Sequence, residues 1–80
     1  MEKLEENVLL SLKKIKPDIE KHLGSKDLVQ SGIVDSLDLM KIIEQFEGDF
    51  GFEMDPDDVT FENFADIKTM SLLVAKYIKH

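Results

Sequence analysis

The chain reads as an all-α protein: a small antiparallel bundle of three long helices plus one short helix, with a long loop between the first and second helices. Three observations lead there. Apolar residues recur every three or four positions in three separate stretches, the period of a helix face. No alternating run is long enough to build a sheet; Phe50-Gly51-Phe52-Glu53-Met54 alternates, but it stands alone between two helical stretches. Finally, 80 residues suffice for one small domain, taken as residues 1–80.

The first helix is expected over about residues 2–15, with Leu4, Val8, Leu12 and Ile15 on one face. Glu2, Glu5 and Glu6 lie near its start and Lys13, Lys14 and Lys16 near its end, the order that suits the helix dipole. Pro17 disfavours helical geometry at Lys16 and stops it. Residues 17 to 35 have no sustained period. Gly24-Ser25 breaks any short turn through Ile19 and Leu23, and Leu28, Ile33 and Val34 are expected to pin the loop to the core. A loop of this length in so small a domain often serves function.

The second helix is expected over about 36–49. Leu39, Ile43, Phe46 and Phe50 share a face, Asp35 or Ser36 is the N-cap, and Gly51 is the C-terminal stop. Asp55-Pro56 is a further start, an aspartate cap followed by proline at the first helical position, and places the short helix at about 56–61. Asp66 caps the last helix, about 67–79, in which Ile67, Met70, Leu73, Val74, Tyr77 and Ile78 recur at helical spacing and Lys76 and Lys79 favour its C-terminal end.

Composition narrows the function. The longest apolar runs are three or four residues, so no segment inserts in a membrane. The start, Met-Glu-Lys-Leu-Glu-Glu, is acidic where a secretory leader is basic and then apolar, which points to a cytoplasmic protein. With no cysteine there are no disulfides, thiolate zinc sites or cysteine nucleophile. A net charge of −7 argues against nucleic acid as a partner. Between Asp35 and Asp66 lie eleven acids and one base, Lys41; this stretch is either a solvated acidic surface or a docking face for basic partners.

Little in the chain is equipped for catalysis. Ser36 lacks the Gly-x-Ser-x-Gly setting of a nucleophile elbow, and the only histidines are His22 in the loop and His80 at the end. Asp49, Glu53, Asp55, Asp57 and Asp58 do not form an EF-hand loop; helix capping and solubility account for them more simply than a metal site. Neither a catalytic group nor a metal ligand is therefore assigned. Ser36 remains the informative residue. It stands at a helix N-terminus, where unpaired N–H groups and the positive end of the dipole stabilise an attached phosphate, or where it serves only as a cap.

The stretch Leu28-Val-Gln-Ser-Gly32-Ile-Val-Asp35-Ser36-Leu37-Asp38 resembles the attachment motif of the acyl carrier protein family. The likeness continues through Phe46-Glu47, Phe50, Phe52-x-Met54, Asp57-Asp58-Val59 and Phe64-x-Asp66-Ile67-x-Thr69-Met70, over essentially the whole chain. It implies a non-catalytic tether in which Ser36 carries 4′-phosphopantetheine, derived from coenzyme A, and acyl groups ride on that arm as thioesters. It implies a phosphopantetheinyl transferase as partner, together with enzymes that load and use the cargo and carry basic docking patches. Asp35, Leu37, Asp38, Met40, Glu44 and Glu47 are the implied partner-facing residues, on a monomer. Leu4, Val8, Leu12, Ile42, Ile43, Phe46, Val59, Ile67, Leu73 and Val74 are expected to line the interior. Ser31-Gly32-Ile33-Val34 stands where fatty-acid carriers have an aspartate-leucine-glycine-alanine run, Lys41 and Gly48 replace acids, and Glu44 replaces a methionine. These departures imply a specialised member rather than a general fatty-acid carrier. Loading with an aminoacyl group by an adenylating ligase stays open beside loading with an acyl group, and a plain helical interaction module is the reading from another class.

Overall fold

The computed structural model describes residues 2–24 and 27–78, and over these it is a small all-helical bundle with no strand. The expected break at Ser25, the continuation of the last helix to Lys79, and the terminal His80 lie outside the described residues. Helix α1 spans Glu2–Ile15, α2 spans Ser36–Phe50 and α3 spans Ile67–Ile78. One 3-10 turn, Ile19–His22, lies in the first loop, and two more, Pro56–Asp58 and Glu62–Phe64, lie between α2 and α3.

The helical spacing dictates one core. Val8 and Leu12 of α1, Ile42 and Phe46 of α2, and Met70 and Val74 of α3 are fully buried, with Phe64 among them. Phe46 stacks on Phe64 at 6.3 Å between ring centres and meets Phe50 edge-on at 6.0 Å. Leu4, Val59 and Ile67, expected inside, are partly buried and pack against this core from its rim. Two serines are also buried. Ser71 Oγ donates to the Ile67 carbonyl at 2.8 Å, and Ser11 Oγ donates to Asp49 Oδ2 at 2.7 Å, so neither hydroxyl is left unsatisfied.

Ser11 pairs with Asp49 near the end of α2, while Lys16, just past α1, pairs with Asp38 near the start of α2. Numbers rising along one helix meet numbers falling along the other, so α1 and α2 run antiparallel. Helix α1 packs on both α2 and α3, whereas α2 and α3 touch each other much less. The segment between them, residues 52–64, occupies that side.

The first loop is held by its own hydrogen bonds. Leu28 and Val34 are buried, and Ile33 is half-buried. The Leu28 N–H donates to the Ala65 carbonyl at 2.7 Å, which ties the loop to the entry of α3, and the Val34 N–H donates to the Leu28 carbonyl at 2.9 Å. Asp27 Oδ1 accepts from the N–H groups of Val29 and Gln30. The turn closes at Gly32, whose φ of +84° favours glycine over any residue with a Cβ.

The short helix expected at 56–61 is instead a single 3-10 turn, Pro56–Asp58, and a separate one at Glu62–Phe64. The cause is local. The Asp58 carbonyl accepts from the Thr60 N–H at 2.9 Å and from Asn63 Nδ2 at 2.7 Å. That carbonyl is thereby withdrawn from the bond four residues onward that a continuing α-helix needs. Val59 accordingly leaves helical geometry, with ψ at 79°.

Candidate functional site

Helix α2 starts where its first residues can cap it. Asp35 is extended, and its side chain turns back so that the Asp38 N–H donates to Asp35 Oδ1 at 2.8 Å. The Asp35 N–H donates in return to Asp38 Oδ2 at 3.2 Å. This reciprocal box settles the N-cap as Asp35 and makes Ser36 the first helical residue. Ser36 is exposed. At this position the helix leaves the first N–H groups without intrahelical partners, and the dipole presents its positive end.

Asp38 has a second role. Its Oδ2 lies 3.1 Å from Lys16 Nζ, which clips the end of α1 to the first turn of α2. Burial pushes the Asp38 carboxyl up, but the Asp35 N–H and the Lys16 ammonium outweigh it and hold the group below the ordinary aspartate value. Asp38 is therefore a half-buried, partly neutralised acid rather than a free charge on the surface.

Beside Ser36 lies a groove. Its near end, about 500 Å³, is lined by Ser36, Leu39 and Met40 of α2 and by Val59, Thr60 and Phe61 opposite. Its continuation, about 510 Å³, shares Met40 and Val59 and adds Ile43, Glu44, Glu47, Met54 and Pro56. Met40 is 62% exposed and Phe61 52%, so apolar side chains form both walls at the surface. Leu37, 65% exposed, stands beside Ser36.

The residues singled out from the sequence separate accordingly. Ser36, Met40, Glu44 and Glu47 recur at intervals of four, four and three and border one groove. Asp35 and Asp38 are turned to the helix start. Glu47 is also structural, because its Oε2 accepts from the Met54 N–H at 2.8 Å and fixes the chain leaving α2. Glu44 is exposed at the groove edge, and Lys41, the base of the acidic stretch, is exposed as well.

Several acids of the stretch 35–66 are tied within the molecule. Asp49 accepts from Ser11, Gln45 and Lys14, and these bonds lower its pKa. Asp58 accepts from Lys76 at 2.8 Å and from Tyr77, which lower it too. Asp55 caps Asp57, and Asp66 caps α3 through the Thr69 N–H at 2.7 Å. Among the described residues, no three acids or histidines converge to hold a metal ion.

Sequence reasoning did not single out Lys16, Phe61 or Tyr77 as functional residues. Lys16 and Tyr77 reach partners far along the chain, and nothing local marks such contacts. Phe61 could have been noticed, because it falls off the spacing of a buried face and is a large ring left at the surface.

The geometry fits a group esterified to the first helical hydroxyl. Ser36 is exposed, a phosphate there stands at the positive end of the helix dipole, and the Lys16 ammonium at the same turn offsets Asp38. Comparison with curated proteins gives no match, and comparison with solved structures gives none. Comparison with family models matches residues 11–74 to the family described as phosphopantetheine attachment site. The match takes in both walls of the groove and the whole capped start of α2, so the chain belongs to that family and is a carrier domain of the acyl carrier protein type, whose prosthetic group is covalent 4′-phosphopantetheine.

Proposed function

We propose that Ser36 is the residue that carries the arm, and that the cargo is an acyl group delivered to enzymes of lipid or specialised-metabolite biosynthesis. The bound arm ends in a thiol, which holds the cargo as a thioester. The chain contributes the accessible hydroxyl, the capped helix that presents it, and a place for the cargo to rest. The observation that carries the reading is the apolar groove that begins at Ser36 and runs between Met40 on α2 and Val59 and Phe61 opposite. Burying methylene groups there is favourable by about 0.8 kcal/mol each, so an alkyl chain gains from lying in it. The chain has no cysteine, so no thiol of its own competes for the acyl group.

On this reading residues 1–80 form one monomeric carrier domain that works as a tether without catalytic groups, in the cytoplasm. The phosphopantetheinyl transferase reads Asp35, Leu37 and the start of α2. The enzymes that load and use the cargo read Met40, Glu44 and the groove edge, with Asp38 and Glu47 acting from behind through the positions they fix. An aminoacyl load is the second reading, and it rests on the Gly32-x-x-Asp35-Ser36 form of the attachment loop.

The test is intact mass after incubation of the apo-protein with coenzyme A and a promiscuous phosphopantetheinyl transferase. Wild type gains one phosphopantetheine and Ser36→Ala gains none while keeping its helical circular dichroism. Modification of Ser36→Ala, or none of wild type, refutes the assignment. Offering the holo-protein to an acyl-loading and an aminoacyl-loading ligase then separates the two cargoes.

A further inference from the structure

The groove has one wall on α2 and the other on a segment with little helical structure. What holds that second wall in place decides how far the groove stands open. On the α2 side, the Met54 N–H donates to Glu47 Oε2. On the α3 side the attachment converges on one residue. The Tyr77 ring stacks on Phe52 at 4.6 Å and 11° between planes. Its hydroxyl accepts from the Asp55 N–H at 2.9 Å and donates to the Asp58 carboxylate. Lys76 Nζ reaches the same carboxylate at 2.8 Å, but this pair is exposed and contributes little.

Met54, Pro56 and Val59, which face α2 across the groove, lie on or beside the stretch 52–58 that Tyr77 grips at three points. Helices α2 and α3 touch each other little, so direct helix packing does not set that spacing. We infer that the Tyr77 hydroxyl is a positioning group for the cargo: by latching the 52–58 segment to α3 it fixes the width of the groove beside Ser36 and so the degree to which a medium-length acyl chain is shielded. This rests on the reading that Ser36 bears the arm and that the groove takes the cargo.

Tyr77→Phe keeps the ring and its stack on Phe52 and removes only the hydroxyl. Two measurements follow. The first is amide hydrogen exchange of the apo-protein over residues 54–60, which needs no cargo. The second is cleavage by hydroxylamine of octanoyl and acetyl thioesters on the holo-protein, in which the carbonyl carbon gains nitrogen and the arm's sulfur leaves as the protonated thiol. The loss of hydrogen bonds of this kind corresponds to about 2- to 10-fold in a local opening equilibrium. Tyr77→Phe is expected to speed exchange at Asp55 and its neighbours and octanoyl cleavage by that factor, with acetyl cleavage unchanged because acetyl is too short to occupy the groove. Asp58→Ala removes the acceptor from the other side and is expected to match it, while Asp58→Asn, which retains an acceptor oxygen, stays near wild type.

Exchange and octanoyl cleavage equal to wild type in both Tyr77→Phe and Asp58→Ala overturn the inference and leave the carrier reading intact. Equal acceleration of the acetyl and octanoyl thioesters also overturns it, since a general loosening has no chain-length dependence. A wild-type protein that takes no arm at all overturns the carrier reading, and this inference with it.

Discussion

Replacing Asp35 tests how the start of α2 is built and what its charge does. Asp35→Ala removes the oxygen that accepts from the Asp38 N–H at 2.8 Å, while the Asp35 N–H keeps its bond to Asp38 Oδ2. Loss of an N-cap oxygen costs about 0.5–2 kcal/mol. Part of that is the anion's interaction with the dipole, about 0.3–1 kcal/mol. Asp35→Asn keeps an acceptor oxygen and loses only the charge, so it should cost the smaller part alone. In a domain of this size, each kcal/mol moves the melting temperature by about 4–8 °C. Thermal unfolding of the apo-proteins followed by circular dichroism should therefore rank wild type above Asn and Asn above Ala. The rate of phosphopantetheinylation, measured well below all three melting temperatures, should fall by a similar factor in both variants if the transferase reads the charge. An alanine variant as stable as wild type would refute the capping argument. A modification rate that stays at the wild-type level in Asp35→Asn would show that Asp35 serves the helix start and not the docking of the transferase.

Phe64→Ala, at a fully buried ring stacked on Phe46, should cost about 3–5 kcal/mol in urea denaturation, whereas Phe61→Ala, on the exposed groove wall, should stay within about 0.5 kcal/mol; similar values for the two would contradict the assignment of core and groove. Hydrogen bonds from the Thr69 N–H to Asp66, from Lys76 and Tyr77 to Asp58 and from Ser11 to Asp49, together with the partners of Asp38, lower four carboxyl pKa values. Their contribution is present above the unfolded value of about 4 and is lost as pH falls through the lowered folded values, so the melting temperature should fall in that acid range and a flat profile there would refute these pairings. The Tyr77 hydroxyl is pushed up by burial and by its bond to Asp58, so its contribution holds below about pH 10 and fades as pH rises through the folded value, which absorbance titration of Tyr77 reads directly. Lys41→Glu should raise the rate at which general fatty-acid-synthesis enzymes transfer malonyl groups to the holo-protein at low salt, because the lysine is exposed on α2 where those enzymes meet an acid; equal rates would remove the case for a specialised carrier that rests on Lys41.

Residue type and spacing by themselves determined the three helices, the glycine that ends α2 and the aspartate that caps α3, and narrowed the start of α2 to Asp35 or Ser36. Each depends on neighbours within a turn. The period of three and four buries Val8, Leu12, Phe46 and Val74, Asp35 finds its N–H three residues on, and Gly51 ends α2 with φ at 71° because a Cβ is disfavoured there. The attachment motif is equally local, a run of residues from Leu28 to Asp38. The tertiary structure alone decided what those residues do next. Asp38 and Glu47 carry the same charge as Glu44, yet each of them is engaged inside the fold while Glu44 stands at the surface. Lys16, 22 residues before Asp38, and Met54, seven residues past Glu47, claim those two. Tyr77 is one apolar position of a helix face until folding brings Asp55 and Asp58 to its hydroxyl. Contacts made across such separations are selected by how the helices pack, and a pattern with a period of a few residues carries no record of them.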